Sequence, residues 1–229
     1  MAILIGSVLG NFRGKLGNLA ARIIEGRTIF AARPSSYDDP MTPEQIEYRS
    51  KLGTAAKFSS GINNVLTLRK LWKKMRPPLM SAFSYMVQQN VKLVGTEAPT
   101  ADCITSPPNG FLYSSADLTV AEANVTATIP ALDTFISLPP EASGVKFAGV
   151  ISYGDPINEG MEEFVVTPIE KEVEGYNFSA QYSLTIPLSS VQVNLATLYQ
   201  RKTVYLGLIV TDEGGSEVIA HSDSISAVV

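Results

Sequence analysis

The sequence predicts an α+β fold in two parts. An extended, glycine-rich N-terminal arm and a helical hairpin come first, and an Ig-like antiparallel β-sandwich follows. Three observations carry this expectation. Charge is divided unevenly along the 229 residues, apolar residues recur at helical spacing between residues 42 and 92, and beyond Asn109-Gly110 the period changes to two. The division is placed after residue 95, giving parts 1–95 and 96–229.

The first element is the arm. Its segment "GNFRGKLGN", residues 10–18, sets three glycines beside two cations, which raises the question of a phosphate-binding loop. The P-loop needs a glycine five positions before Gly14 and a hydroxyl after Lys15, but those positions hold Leu9 and Leu16. The spacing of a dinucleotide-binding turn is also missing. The glycines are instead expected to permit positive φ or close backbone approach. "AARIIEGRTIFAAR" then reads as two short strands turning at Glu25-Gly26. Their faces are mixed, so the hairpin is expected to pair with another part of the chain or with another copy.

The helices follow. Thr42-Pro43-Glu44-Gln45 is a helix start, with Thr42 as N-cap, Pro43 in the first helical position and Gln45 completing a capping box. The first helix is expected to reach about Ser60, with Ile46, Leu52, Ala56 and Phe58 inward. A second crosses "NNVLTLRKLWKKM" on a stripe of Val65, Leu68, Leu71, Trp72 and Met75. Pro77-Pro78 stops it, and "PLMSAFSYMVQQNVKLV" restarts as a third. "GTEAPTADCITSPPNG" reads as a linker or edge segment. Strands are expected in "VKFAGVISY", "EEFVVTPI", "TVYLGLIVTD" and "EVIAHSDSISAVV". The clearest is "YNFSAQYSLTI", which puts Tyr176, Phe178, Ala180, Tyr182, Leu184 and Ile186 on one face. "PLSSVQVNLATLYQRK" inserts a short helix, and Glu213-Gly214-Gly215 a hairpin turn.

Charge bears on function. Residues 1–95 hold fourteen Lys and Arg against five acids, a balance of +9, while residues 96–229 hold four against seventeen, a balance of −13. Such asymmetry suits head-to-tail contact between copies. Cys103 is the single cysteine, so no internal disulfide is expected, and no apolar run reaches the ~18 residues of a membrane-spanning helix. The start of the chain lacks the pattern of a signal peptide.

Candidate chemistry is sparse. One His and one Cys do not make a zinc site. His221 lies beside Ser222, Asp223 and Ser224, but no nucleophile elbow accompanies them. Asp155 and Glu159 lack the spacing of a calcium loop, and the acids of "EGMEEFVV" and "IEKEVEGY" belong to strand ends and turns. No cofactor, metal or catalytic residue is expected. The basic stretch is the strongest candidate: Arg69, Lys70, Lys73, Lys74 and Arg76 around Trp72 could meet phosphate and a base. On a helix Trp72 falls with the apolar stripe, leaving the cations as an exposed face for an acidic partner.

One pattern is familiar. Gly-Lys-Leu-Gly-Asn at 14–18, then Gly26, Arg33-Pro34, Pro40, Thr42-Pro43, Gln45 and Arg49, resembles an uncharacterised family of proteins in Bacteroidetes and their phages and prophages. The resemblance covers roughly residues 5–92, and "SSYDDP", with Asp38 and Asp39, departs from it. It implies a phage context, and Ig-like domains are common appendages of virion proteins. The expectation is a non-enzymatic structural component of a virion (capsid, neck or tail), made in the host cytoplasm, without a membrane partner. It would bind its own copies and other virion proteins through Arg13, Gly14, Lys15, Gly17 and Arg33 of the arm and Arg69, Lys70, Lys73, Lys74 and Arg76 of the helices. A nucleic-acid-binding accessory using residues 65–76 and a glycan- or receptor-binding module remain as alternatives.

Overall fold

A computed structural model of the chain describes residues 2–4, 14–24, 26–32, 41–121, 123–215 and 217–229. The molecule is α+β, with four α-helices and three antiparallel sheets among those residues. The first sheet is formed near the N-terminus. Strands β1 (Ala2–Leu4), β2 (Gly14–Leu16), β3 (Leu19–Ile24) and β4 (Arg27–Ala32) lie in the order β1-β4-β3-β2. Gly17 takes φ of 58° as the first of two residues turning β2 into β3, the position where a type II′ turn demands positive φ. Ile24 pairs with Arg27, so the expected β3–β4 hairpin is formed.

Helix α1 (Pro43–Asn64) begins at the expected cap, Gln45 N donating to Thr42 Oγ1 at 3.4 Å, while a complete capping box is found instead at α4, between Ser189 and Gln192. Its buried face differs from the expected one. Ile46 and Leu52 are 49% and 41% exposed, and burial begins with Thr54, Ala55, Phe58, Gly61 and Ile62. At ~100° per residue, Ile46 sits on the side of the helix opposite Ala55, so a stripe drawn through Ile46 is out of phase with the one that packs. The helix also continues past Ser60. Gly61 is retained inside it because a Cβ there would lie 2.3 Å from Val166 Cγ1. Val65 breaks the helix with extended ψ, and α2 (Leu66–Met75) and α3 (Ala82–Asn90) follow, the latter capped by Ser81.

The remaining strands are β5 (Ala116–Ala121), β6 (Asn124–Ile129), β7 (Gly144–Pro156), β8 (Phe164–Val173), β9 (Tyr182–Pro187), β10 (Tyr199–Thr211), β11 (Val218–His221) and β12 (Ile225–Val228). Helix α4 (Ser190–Leu198) precedes β10. The central sheet runs β11-β10-β7-β8. β12 shares the β11 edge, pairing with Thr203–Leu206 while β11 pairs with Ile209–Thr211. The third sheet is β5-β6-β9. The strand expected over 176–186 is only half formed. Ser179 N donates to Asn177 Oδ1 at 3.1 Å, and this side-chain turn ends regular pairing before Tyr182. Tyr176, Phe178, Tyr182, Leu184 and Ile186 nevertheless enter one core.

Two apolar clusters sandwich the central sheet. On one face Phe147, Ile151, Leu206, Leu208 and Val210 meet Val125, Ile129 and Leu184 of the three-stranded sheet. On the other, Ala148, Val150, Tyr205 and Ile209 meet Phe58, Ile62, Leu68, Leu71, Trp72 and Met86 of the helices. The helical layer is therefore fused to the sheet through a continuous core. Polar ties fix it further: Lys57 Nζ reaches Glu162 Oε2 at 2.5 Å while sitting 4.4 Å above the Phe164 ring, and Thr67 Oγ1 donates to Glu170 Oε1.

The segment expected to be a linker is pinned from both sides. Trp72 Nε1 donates to Thr105 O at 2.7 Å, Tyr205 OH to Thr100 O at 2.6 Å, and Asn90 exchanges hydrogen bonds with the Ile104 backbone. Trp72, Tyr205 and Asn90 thus each find a partner in the segment, which offsets the cost of their burial.

Candidate functional site

Helix α2 divides its side chains by face. Leu68, Leu71 and Trp72 are buried, and Lys74 turns to β11, where its Nζ donates to Val218 O at 3.1 Å. Arg69, Lys70, Lys73 and Arg76 point the other way and line a cavity of about 620 Å³. Ile24 at the end of β3, Leu66 at the start of α2, and Met80 and Ala82 at the α2–α3 corner supply its apolar surface. Arg76 is held in place by donating to Met80 O. Among the described residues, no carboxylate forms an ion pair with Arg69, Lys70 or Lys73. The result is a cationic cavity with an apolar floor, suited to an anion that carries an apolar group.

The structure gathers four of the ten residues singled out from sequence. Lys74 belongs to the fold's internal bonding. Gly14, Lys15 and Gly17 lie on β2 and its turn, exposed and not among the cavity's lining. Arg13 and Arg33 lie outside the described residues. Leu66, Met80 and Ile24 were not foreseen as site residues. The signal present in sequence was Leu66, which falls outside the Leu68-Leu71-Trp72 stripe and is 49% exposed. Trp72 is fully buried and hydrogen-bonded, so its ring has no free face for a base.

The His221-to-Ser224 stretch is a structural joint at the break between β11 and β12. Ser222 Oγ accepts from Leu208 N at 2.8 Å, Asp223 Oδ1 accepts from Gly110 N at 2.8 Å, and Ser224 Oγ accepts from Thr105 N and Ser106 N, both at 2.8 Å. Asp223 and Ser224 hold residues 105–110 against the sheet edge, and Ser222 ties the joint to β10. His221 is held below its ordinary pKa chiefly by burial, with Lys74 adding to the effect and the Pro107 backbone and Asp223 opposing it. Burial pushes the Cys103 thiol up to about 11, against the hydrogen bonds of Thr100, which leaves it protonated and poorly nucleophilic. Among the described residues no group of three His, Cys, Asp or Glu side chains is placed to hold a metal, and no helix is long and apolar enough to cross a membrane.

No family model matches the chain, and no curated protein matches it. One solved structure, described as "CC2D1B coordinates ESRCT-III activity during the mitotic reformation of the nuclear envelope", aligns over 82% of this chain and 90% of that chain. Its identity is 9% and its TM-score 0.15, a likeness too slight to bear on fold or function.

Proposed function

We propose that the chain is a structural component of a bacteriophage virion that assembles through its N-terminal region and its basic helical face. In this reading the two facing sheets are an Ig-like sandwich, and the β1–β4 meander is an arm that engages neighbouring copies. The observation that carries it is the detachment of the meander from the fold's interior. The residues of β2–β4 whose side chains are described enter neither apolar cluster, and among them only Ala21 and Ile29 are buried. Strands that bury so little stabilise themselves weakly and gain from packing on another chain. Arg69, Lys70 and Lys73, which meet no carboxylate among the described residues, supply a second contact of opposite charge to the acidic C-terminal part.

The family resemblance of residues 14–49 supplies the phage context. The test is quantitative mass spectrometry of density-banded particles induced from the bacterium that carries the chain. Its peptides are expected at a fixed ratio to the major particle proteins. Absence from particles, with abundant free protein in the lysate, would contradict the proposal.

A further inference from the structure

We propose that the cationic cavity of α2 receives the β7–β8 loop of a second copy of this chain, so that copies join head to tail. This inference rests on the assembly reading above and names its contact. The cavity requires an occupant with negative charge and an apolar anchor. Its wall offers Arg69, Lys70 and Lys73, and its floor offers Leu66, Met80 and Ile24. Lys70 and Lys73 are one helical turn apart and present their ammonium groups on one side.

The β7–β8 loop has the complementary make-up. Ile157 is 54% exposed where the loop leaves β7, and Glu159 and Glu163 are exposed on either side of Met161. Among the described residues neither Glu159 nor Glu163 has an ion-pair partner, whereas Glu162 between them is taken by Lys57. The pairing with Lys57 and the Phe164 contact anchor the loop's base on α1, so the remaining acids are displayed from a fixed stem. Within one copy the loop does not line the cavity.

Other acidic segments fit less well. Glu170 is bonded to Thr67 and Glu172 to Lys146, and the β10–β11 turn carries acids without a large apolar residue. A nucleic acid would satisfy the cations but not the apolar floor, and the lining holds no aromatic side chain on which a base could stack. Two different surfaces of one chain that bind each other form a heterologous contact, which repeats until a ring closes or a filament grows. The cavity volume of about 620 Å³ accommodates an isoleucine side chain together with flanking carboxylates.

The test is sedimentation velocity on the full-length chain over a concentration series at low and high salt, with charge-reversed pairs. Wild type is expected to associate at low salt and to dissociate as salt screens the contact. K70E/K73E and E159K/E163K are each expected to weaken association by at least about tenfold, as loss of close interfacial charge pairs does. Mixing the two variants should restore complexes containing both, and circular dichroism melts check that each remains folded. Association that persists undiminished in both charge-reversed variants would overturn this contact while leaving the assembly reading intact. A wild type that is monomeric throughout would overturn both. A monomer that retains a labelled oligonucleotide, lost in K70E/K73E, would replace the proposal with nucleic-acid binding.

Discussion

Trp72 shows how one side chain joins three parts of the molecule. Its ring is fully buried among the helices, it meets Tyr85 edge-on at 5.2 Å, and its N–H satisfies Thr105 O in the segment crossing the sheet edge. Replacing it with phenylalanine keeps an aromatic but strands that carbonyl and leaves a small void. A loss of about 2–3 kcal/mol is expected, read as a lower urea midpoint at unchanged slope. A loss under about 0.5 kcal/mol would show that the Thr105 bond contributes little. His221 gives a pH-dependent counterpart. Its folded pKa lies below the unfolded value of about 6.5, so the unfolded chain takes up the proton first. This contribution to stability is complete above that pH and is lost as pH falls below it. Urea midpoints measured from pH 8 to pH 5 should decline below about 6.5, and the decline should shrink in His221→Gln. Equal pH profiles for the two proteins would remove His221 from the account.

At the scale of elements, the decisive contact is α1 lying across β8. Gly61 allows the helix to approach until a Cβ would sit 2.3 Å from Val166 Cγ1 and 2.8 Å from its Cβ. Gly61→Ala gains up to ~1 kcal/mol of helix propensity but must push the helix away or force the valine off its rotamer, at about 1–3 kcal/mol. Overpacking wins, so a net loss of about 1 kcal/mol is expected in chemical denaturation, and a stabilised variant would contradict the packing described. The same glycine marks where sequence was hard to read. The first helix was expected to end at about Ser60, and only the tertiary neighbour Val166 explains a glycine inside it. Other elements were legible for local reasons: Thr42-Pro43 as a cap, Pro77-Pro78 as a stop, and Asn109 with its φ of 70° in a turn. Ile46 and Leu52 were assigned to the wrong face because the amphipathic pattern is weak across a helix half of which projects from the core. Of the candidate site, the α2 cations were legible from helical spacing. The apolar floor was not, since Ile24, Leu66 and Met80 come together only in the folded chain.

At the scale of the whole molecule, the central sheet is covered twice, by helices on one face and by strands on the other. The runs "VKFAGVISY" and "TVYLGLIVT" are apolar at nearly every position because both faces of β7 and β10 are buried. That continuity was the sequence's sign that the helical layer would share a core with the strands. The charge division is partly used within one copy, where Lys57 meets Glu162. In the proposed assembly, Arg69, Lys70 and Lys73 serve contacts between copies. The described side chains of β2–β4 stand outside both clusters, so removal of the N-terminal strands is expected to spare the fold while weakening assembly. The most direct measurement is light scattering in line with size-exclusion chromatography on the full chain and on the chain lacking residues 1–40. The full chain is expected to elute as defined oligomers free of nucleic acid by its 260/280 nm absorbance ratio, and the truncated chain as a folded monomer. A full chain that stays monomeric at every concentration, or a truncation that leaves the oligomer unchanged, would contradict assembly through the N-terminal region.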